Sequence, residues 1–99
     1  MLEENAARIV LADIKKISRA KIDRECTEKA LKDTKLDYET VRDYNNDIIG
    51  DNRCIESATN NINSIFQNCS KDELVSLITD IYDLANSEFK QKTIEKNIK

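Results

Sequence analysis

Ninety-nine residues with no proline and a single glycine, Gly50, give a chain very little to turn with. β-Architectures draw on Gly, Pro and Asn-Gly turns at every hairpin, so this scarcity predicts long helices joined by short connections. The chain is 39% hydrophobic and 35% charged, too apolar for a disordered acidic tail and polar enough for the outside of a bundle. Its length fits one domain with one core. The expected fold class is therefore all-α.

Apolar spacing locates the helices. Leu2, Ala6, Ile9, Val10, Ile14 and Ile17 recur at three and four residues and predict a helix over about 3–18, with Leu11 off the stripe. Apolar phase is lost at Ser18–Lys21, which predicts the first turn there. A second stripe of Thr27, Leu31, Thr34, Tyr38, Val41, Asn45 and Ile48, with Ala30 and Tyr44 beside it, predicts a helix over about 22–48. A break near Leu36 competes with that reading, because Asp37 is a candidate N-cap and Leu36 and Val41 are spaced as a hydrophobic staple. Gly50 is placed to end this helix and Asp51 to cap the next. The third helix, about 52–68, carries Ile55, Ala58, Ile62, Ile65, Phe66 and then Cys69.

The fourth start is the strongest local signal. Ser70-Lys71-Asp72-Glu73 reads as a capping box, with Cys69 and Leu74 as its staple. Leu74, Leu77, Ile78, Ile81, Leu84 and Ala85 then form an apolar face to about Ser87. Beyond it only Phe89, Ile94 and Ile98 are large and apolar, too few to offset the entropy of ordering the segment. The reading is an antiparallel up-and-down four-helix bundle over 1–87, followed by a frayed, flexible basic tail over 88–99.

Several classes of function fall away. Without histidine there is no Ser-His-Asp or Cys-His arrangement, and with one glycine there is no phosphate-cradling loop. No catalytic residue, cofactor site or metal site is expected. The stretch from Asn45 to Glu56 has EF-hand spacing at Gly50 and Glu56, but Asn45 stands where aspartate belongs and Ile49 where an oxygen ligand belongs. An ordinary helical corner accounts for it better. Cys26, Cys54 and Cys69 are an odd set without a C-x-x-C pair, expected as reduced, small core residues. The net charge of −3 argues against nucleic acid, and the basic stretch 15–24 has no aromatic side chain to stack on bases, so it reads as a solvated turn. No window is long and apolar enough for a membrane span, and the N-terminus lacks the basic start of a signal peptide, which predicts a cytoplasmic protein.

Two segments carry a family resemblance. Asn5-Ala6-x-x-Ile9-Val10 followed by Ile17-Ser18, and Ser70-Lys71-Asp72-Glu73-Leu74 through Leu84-Ala85, resemble the first and last helices of enterocin A-type immunity proteins of pediocin-like (class IIa) bacteriocins. Together they cover about a third of the chain, and they are amphipathic-helix patterns without a catalytic signature. The middle departs from the family, whose members often show a Pro- or Gly-bearing corner where this chain has only Gly50. The resemblance implies a small cytosolic four-helix bundle that protects a bacteriocin producer. It would act at the inner face of the membrane, on the sugar-transporter receptor that bacteriocin has engaged, with specificity set largely by the C-terminal half.

No family motif transfers a binding site residue by residue. The composition of the last helix instead nominates Tyr82, Asp83, Glu88, Phe89, Lys90 and Lys92 as the partner contact, since they combine aromatic area with charge off or beyond the apolar face. The competing reading is another small helical protein-binding module, an inhibitor or adaptor of phage or plasmid origin. A nucleic-acid regulator using residues 15–24 ranks below both.

Overall fold

The computed structural model describes residues 5–98, apart from the side chains of Glu95, Asn97 and Ile98. Leu2, assigned to the first stripe, and Lys99 of the basic tail lie outside the described residues. The described chain is all-α, with α1 over Ala6–Ala30, α2 over Tyr38–Gln67 and α3 over Lys71–Ile98. Three helices replace the four expected, so the four-helix bundle is corrected. The turn at Ser18–Lys21 and the helix end at Gly50 do not exist, whereas the break near Leu36 does.

The reason lies in the seams. On α1 the inward positions are Ala6, Val10, Asp13, Ile17, Ala20, Arg24 and Thr27, continued just past its end by Leu31, an unbroken alternation of four and three, all buried or half-buried. The spacing never breaks; past Ile17 it is filled by alanine, arginine and threonine, which an apolar search does not see. Leu11 is buried, whereas Ile9 and Ile14, placed on the stripe by their spacing, are exposed. The Arg24 guanidinium donates to Asn52 Oδ1 at 2.8 Å, so a charged residue occupies a seam position through a hydrogen bond. Lys16 reaches Asp13 at 3.9 Å and Lys29 reaches Glu25 at 3.8 Å. Residues 15–24 are thus part of a continuous helix, with Lys15, Lys16, Arg19 and Lys21 on its exposed face, and not a solvated turn.

On α2 the seam runs through Val41, Tyr44, Ile48, Asp51, Ile55, Ala58, Ile62 and Ile65 without a change of phase. Gly50 falls on the outer face of this helix. It has no positive φ, and a Cβ built on it meets nothing within 4 Å. Glycine here costs about 1 kcal/mol of helix propensity, which the seam on either side overrides. Because 45–56 is continuous helix, the EF-hand spacing there has no loop to act in.

Both helix starts are built by their caps. Thr40 N–H donates to Asp37 Oδ1 at 2.8 Å, and Leu36 and Val41 flank the cap half-buried as a staple. Hydrogen bonds from the Thr40 side chain and then its backbone hold the Asp37 carboxyl below its ordinary pKa. At α3 the capping box is reciprocal: Ser70 N–H donates to Glu73 Oε1 at 3.0 Å and Glu73 N–H to Ser70 Oγ at 3.2 Å. Cys69 is half-buried and donates its thiol to the Ile65 carbonyl at 3.2 Å, but Cys26 and Cys54 are exposed, which corrects their expected place in the core.

The chain divides into two compact units, one of residues 1–12 with 62–99 and the other of 13–61. In the first, Ala6, Ala7, Val10 and Leu77 form a buried cluster against which Ile62, Ile65, Phe66, Cys69, Ile81 and Leu84 pack. In the second, an α1–α2 hairpin, the buried side chains among the described residues are Asp13, Ala20 and Ala58. The end of ordered structure expected near Ser87 is not an element boundary: α3 continues as helix to Ile98, because no proline or glycine interrupts it and Glu88 extends the inward seam half-buried.

Candidate functional site

α3 carries two apolar stripes offset by one residue. Leu74, Leu77, Ile81 and Leu84 turn inward, with Leu77 fully buried. Val75, Ile78, Tyr82, Ala85 and Phe89, one position on, keep the same alternation of three and four and turn outward. Val75 is 61% exposed, Ile78 57%, Tyr82 65% and Phe89 70%. Isolated exposed apolar residues are ordinary on a protein surface, but a contiguous stripe of four to five along a helix is the form that partner-binding faces take.

The six nominated residues divide on this geometry. Tyr82 and Phe89 stand seven residues apart on the outward stripe, and Lys92 extends the same spacing at its end. Asp83 and Lys90, also seven apart and exposed, lie about 100° further round the helix. Glu88 lies off the outward stripe, half-buried at the end of the inward seam. Asp83 lines a shallow cleft of about 360 Å³ with Ala7, Arg8, Asp80, Leu84 and Ser87. The helix therefore gathers Tyr82, Phe89 and Lys92 on one face, sets Asp83 and Lys90 on its flank and removes Glu88 from it.

Val75, Ile78 and Ala85 are the residues that composition missed. Ile78 and Ala85 were assigned to the core face, which is corrected by their exposure. The signal was present in the pairs 74/75, 77/78, 81/82 and 84/85: where two three-four stripes adjoin, a single inward helix face cannot bury both.

The 13–61 unit offers two further depressions. One, of about 560 Å³, lies beside Gly50 among Asp23, Cys26, Thr27, Asn46, Asp47 and Asp51; the other, of about 250 Å³, is lined by Asp13, Lys16, Cys54, Ser57, Ala58 and Asn61. In the smaller one Asp13 Oδ2 is buried without a hydrogen-bond partner. The first is lined by the carboxylates Asp23, Asp47 and Asp51 with Cys26, but among the described residues no three His, Cys, Asp or Glu side chains are grouped so that they could hold a metal ion. Nor is any helix of the described residues long and apolar enough to cross a membrane. In comparisons with family models, curated proteins and solved structures, nothing matches the chain.

Proposed function

We propose that this protein is a binding module of the bacteriocin-immunity kind, which protects a producer cell from a pediocin-like peptide without catalysing a reaction. The supporting observation is the outward stripe of α3, which presents Tyr82 and Phe89 beside Asp83, Lys90 and Lys92. Aromatic area rimmed by charge is the composition of a protein-contact surface, and it lies in the C-terminal half, where the family resemblance places specificity. The partner in this reading is the membrane sugar-transporter receptor engaged by bacteriocin, met from the cytoplasmic side. Three helices depart from the four of the resembled family, so the proposal rests on the surface of α3 and on the two matching segments, not on helix count.

Expression of the chain in a bacteriocin-sensitive strain, challenged with a panel of pediocin-like peptides, tests the proposal. Survival against at least one peptide, lost on Tyr82→Ala with Phe89→Ala while the fold is kept, is the expected outcome. No protection against any peptide would overturn it and return the exposed stripe to the competing reading, an inhibitor or adaptor with another protein partner.

A further inference from the structure

We infer that the outward stripe of α3 pairs with the same stripe of a second copy, giving an antiparallel two-helix seam. The inference is independent of the bacteriocin reading. Its first support is spacing. Val75, Ile78, Tyr82, Ala85 and Phe89 alternate strictly by three and four over 15 residues, about 21 Å of helix, and this is the pattern that two helices interlock along. A face of this kind is self-complementary about a two-fold axis.

Side-chain size sets the register. With the axis between Tyr82 and Ala85, each Tyr82 ring lies over the small Ala85 of the other copy and each Phe89 meets Ile78, so large residues oppose small or medium ones. Charge sets the direction. Residues 71–83 hold one lysine against four carboxylates, and residues 84–96 hold three lysines against two carboxylates. Parallel pairing would stack the acidic halves on each other. Antiparallel pairing brings the acidic start of one helix, around Asp72, alongside the basic end of the other, around Lys92 and Lys96. All three of these residues are exposed. The four large side chains, each more than half exposed, form a patch of a few hundred Å² per copy, and two such patches reach about 1,000 Å², the lower limit for a specific interface. The dimer is accordingly weak and concentration-dependent. Where the bacteriocin reading holds, pairing covers Tyr82 and Phe89, so the copy that meets the receptor is the monomer.

Sedimentation velocity of the full chain over roughly 1 µM to 1 mM tests this, since weak association falls in that range. The expected result is a shift from the mass of one chain to twice that mass. Ile78→Glu should weaken association at least tenfold with an unchanged far-UV spectrum, because Ile78 is exposed and outside the core. Asp72→Lys should weaken it several-fold, and Asp72→Lys with Lys96→Glu should restore it, a rescue that parallel pairing does not give. A chain that stays monomeric throughout overturns the inference, as does an Ile78→Glu variant that associates like the parent. Should the parent stay monomeric while Ile78→Glu abolishes bacteriocin protection, the face belongs to the receptor and self-pairing is overturned. Loss of protection in the parent with dimerisation intact would count against the bacteriocin reading alone.

Discussion

The two units use the same helical spacing and fill it with different chemistry. In the unit of residues 1–12 and 62–99, the inward positions hold Val10, Leu77, Ile62, Ile65, Ile81 and Leu84, and burial of apolar surface does the stabilising. In the 13–61 unit, the seam of α1 passes through Asp13, Ile17, Ala20, Arg24 and Thr27, and that of α2 through Val41, Tyr44, Ile48, Asp51, Ile55 and Ala58, so apolar positions that are only half-buried alternate with polar and small ones. Small residues bring helices close without contributing much transfer free energy, and polar ones contribute only when hydrogen-bonded. Spacing therefore fixes where the helices run in both units, while the difference in buried apolar side chains predicts that the first unit is the more stable.

The largest expected effect is Leu77→Ala, which empties a fully buried site and should cost ~2–5 kcal/mol by chemical denaturation. Ile48→Ala, at a half-buried seam position of the 13–61 unit, should cost at most half as much. Equal losses would break the comparison.

Next comes Asp13→Leu. Among the described residues Asp13 Oδ2 is buried without a hydrogen-bond partner, and Oδ1 pairs with Lys16 at 3.9 Å. An apolar side chain removes the desolvation cost and finds room in the adjoining depression, so the change should stabilise by ~1–2 kcal/mol. Destabilisation by a similar amount would show that Asp13 is satisfied and that the 13–61 seam is polar by design.

What the sequence made legible follows this division. The all-α class, the capping box at Ser70 and the inward positions Leu74, Leu77, Ile81 and Leu84 were readable, because there the seam is apolar and the caps are side-chain oxygens at fixed offsets. The path of α1 past Ser18 was not, because Ala20, Arg24 and Thr27 continue the seam without an apolar signal. Gly50 misled for a related reason: glycine suits a helix end, but Ile48, Asp51 and Ile55 hold the helix through it. On α3 the difficulty was reversed. Too many apolar residues were visible, and only the structure separates the inward stripe from the outward one. Tyr82 and Phe89 were found by composition, while Val75, Ile78 and Ala85 needed geometry.

Smaller effects sharpen the comparison at the helix ends and in α2. Ser70→Ala should destabilise the first unit by ~1 kcal/mol, since it removes one half of the reciprocal cap, with amide exchange at Glu73 rising in step. Gly50→Ala should stabilise the second by ~0.5–1 kcal/mol, because the site is helical, exposed and open to a methyl group; a loss in stability would mean that Gly50 does not lie within a helix. The smallest effect is acid weakening of the Asp37 cap. Its carboxyl pKa is lowered in the folded chain, so the cap's contribution is full above the unfolded-state pKa and is lost as pH falls through the lowered folded value. An NMR titration in which the Asp37 carboxyl and the Thr40 amide move together below the ordinary carboxylate range would confirm the bond.

Native-state hydrogen exchange along the chain tests the central claim most directly. Amides of α2 from 62 to 67 and of α3 from 75 to 87 should exchange only through the highest-energy opening. Those of α1 from 18 to 30 and of α2 from 42 to 56 should exchange through a separate opening of lower free energy, by at least about 1 kcal/mol. Uniform protection across all four stretches, rising and falling together with denaturant, would contradict the account and show that the polar seam is as strong as the apolar one.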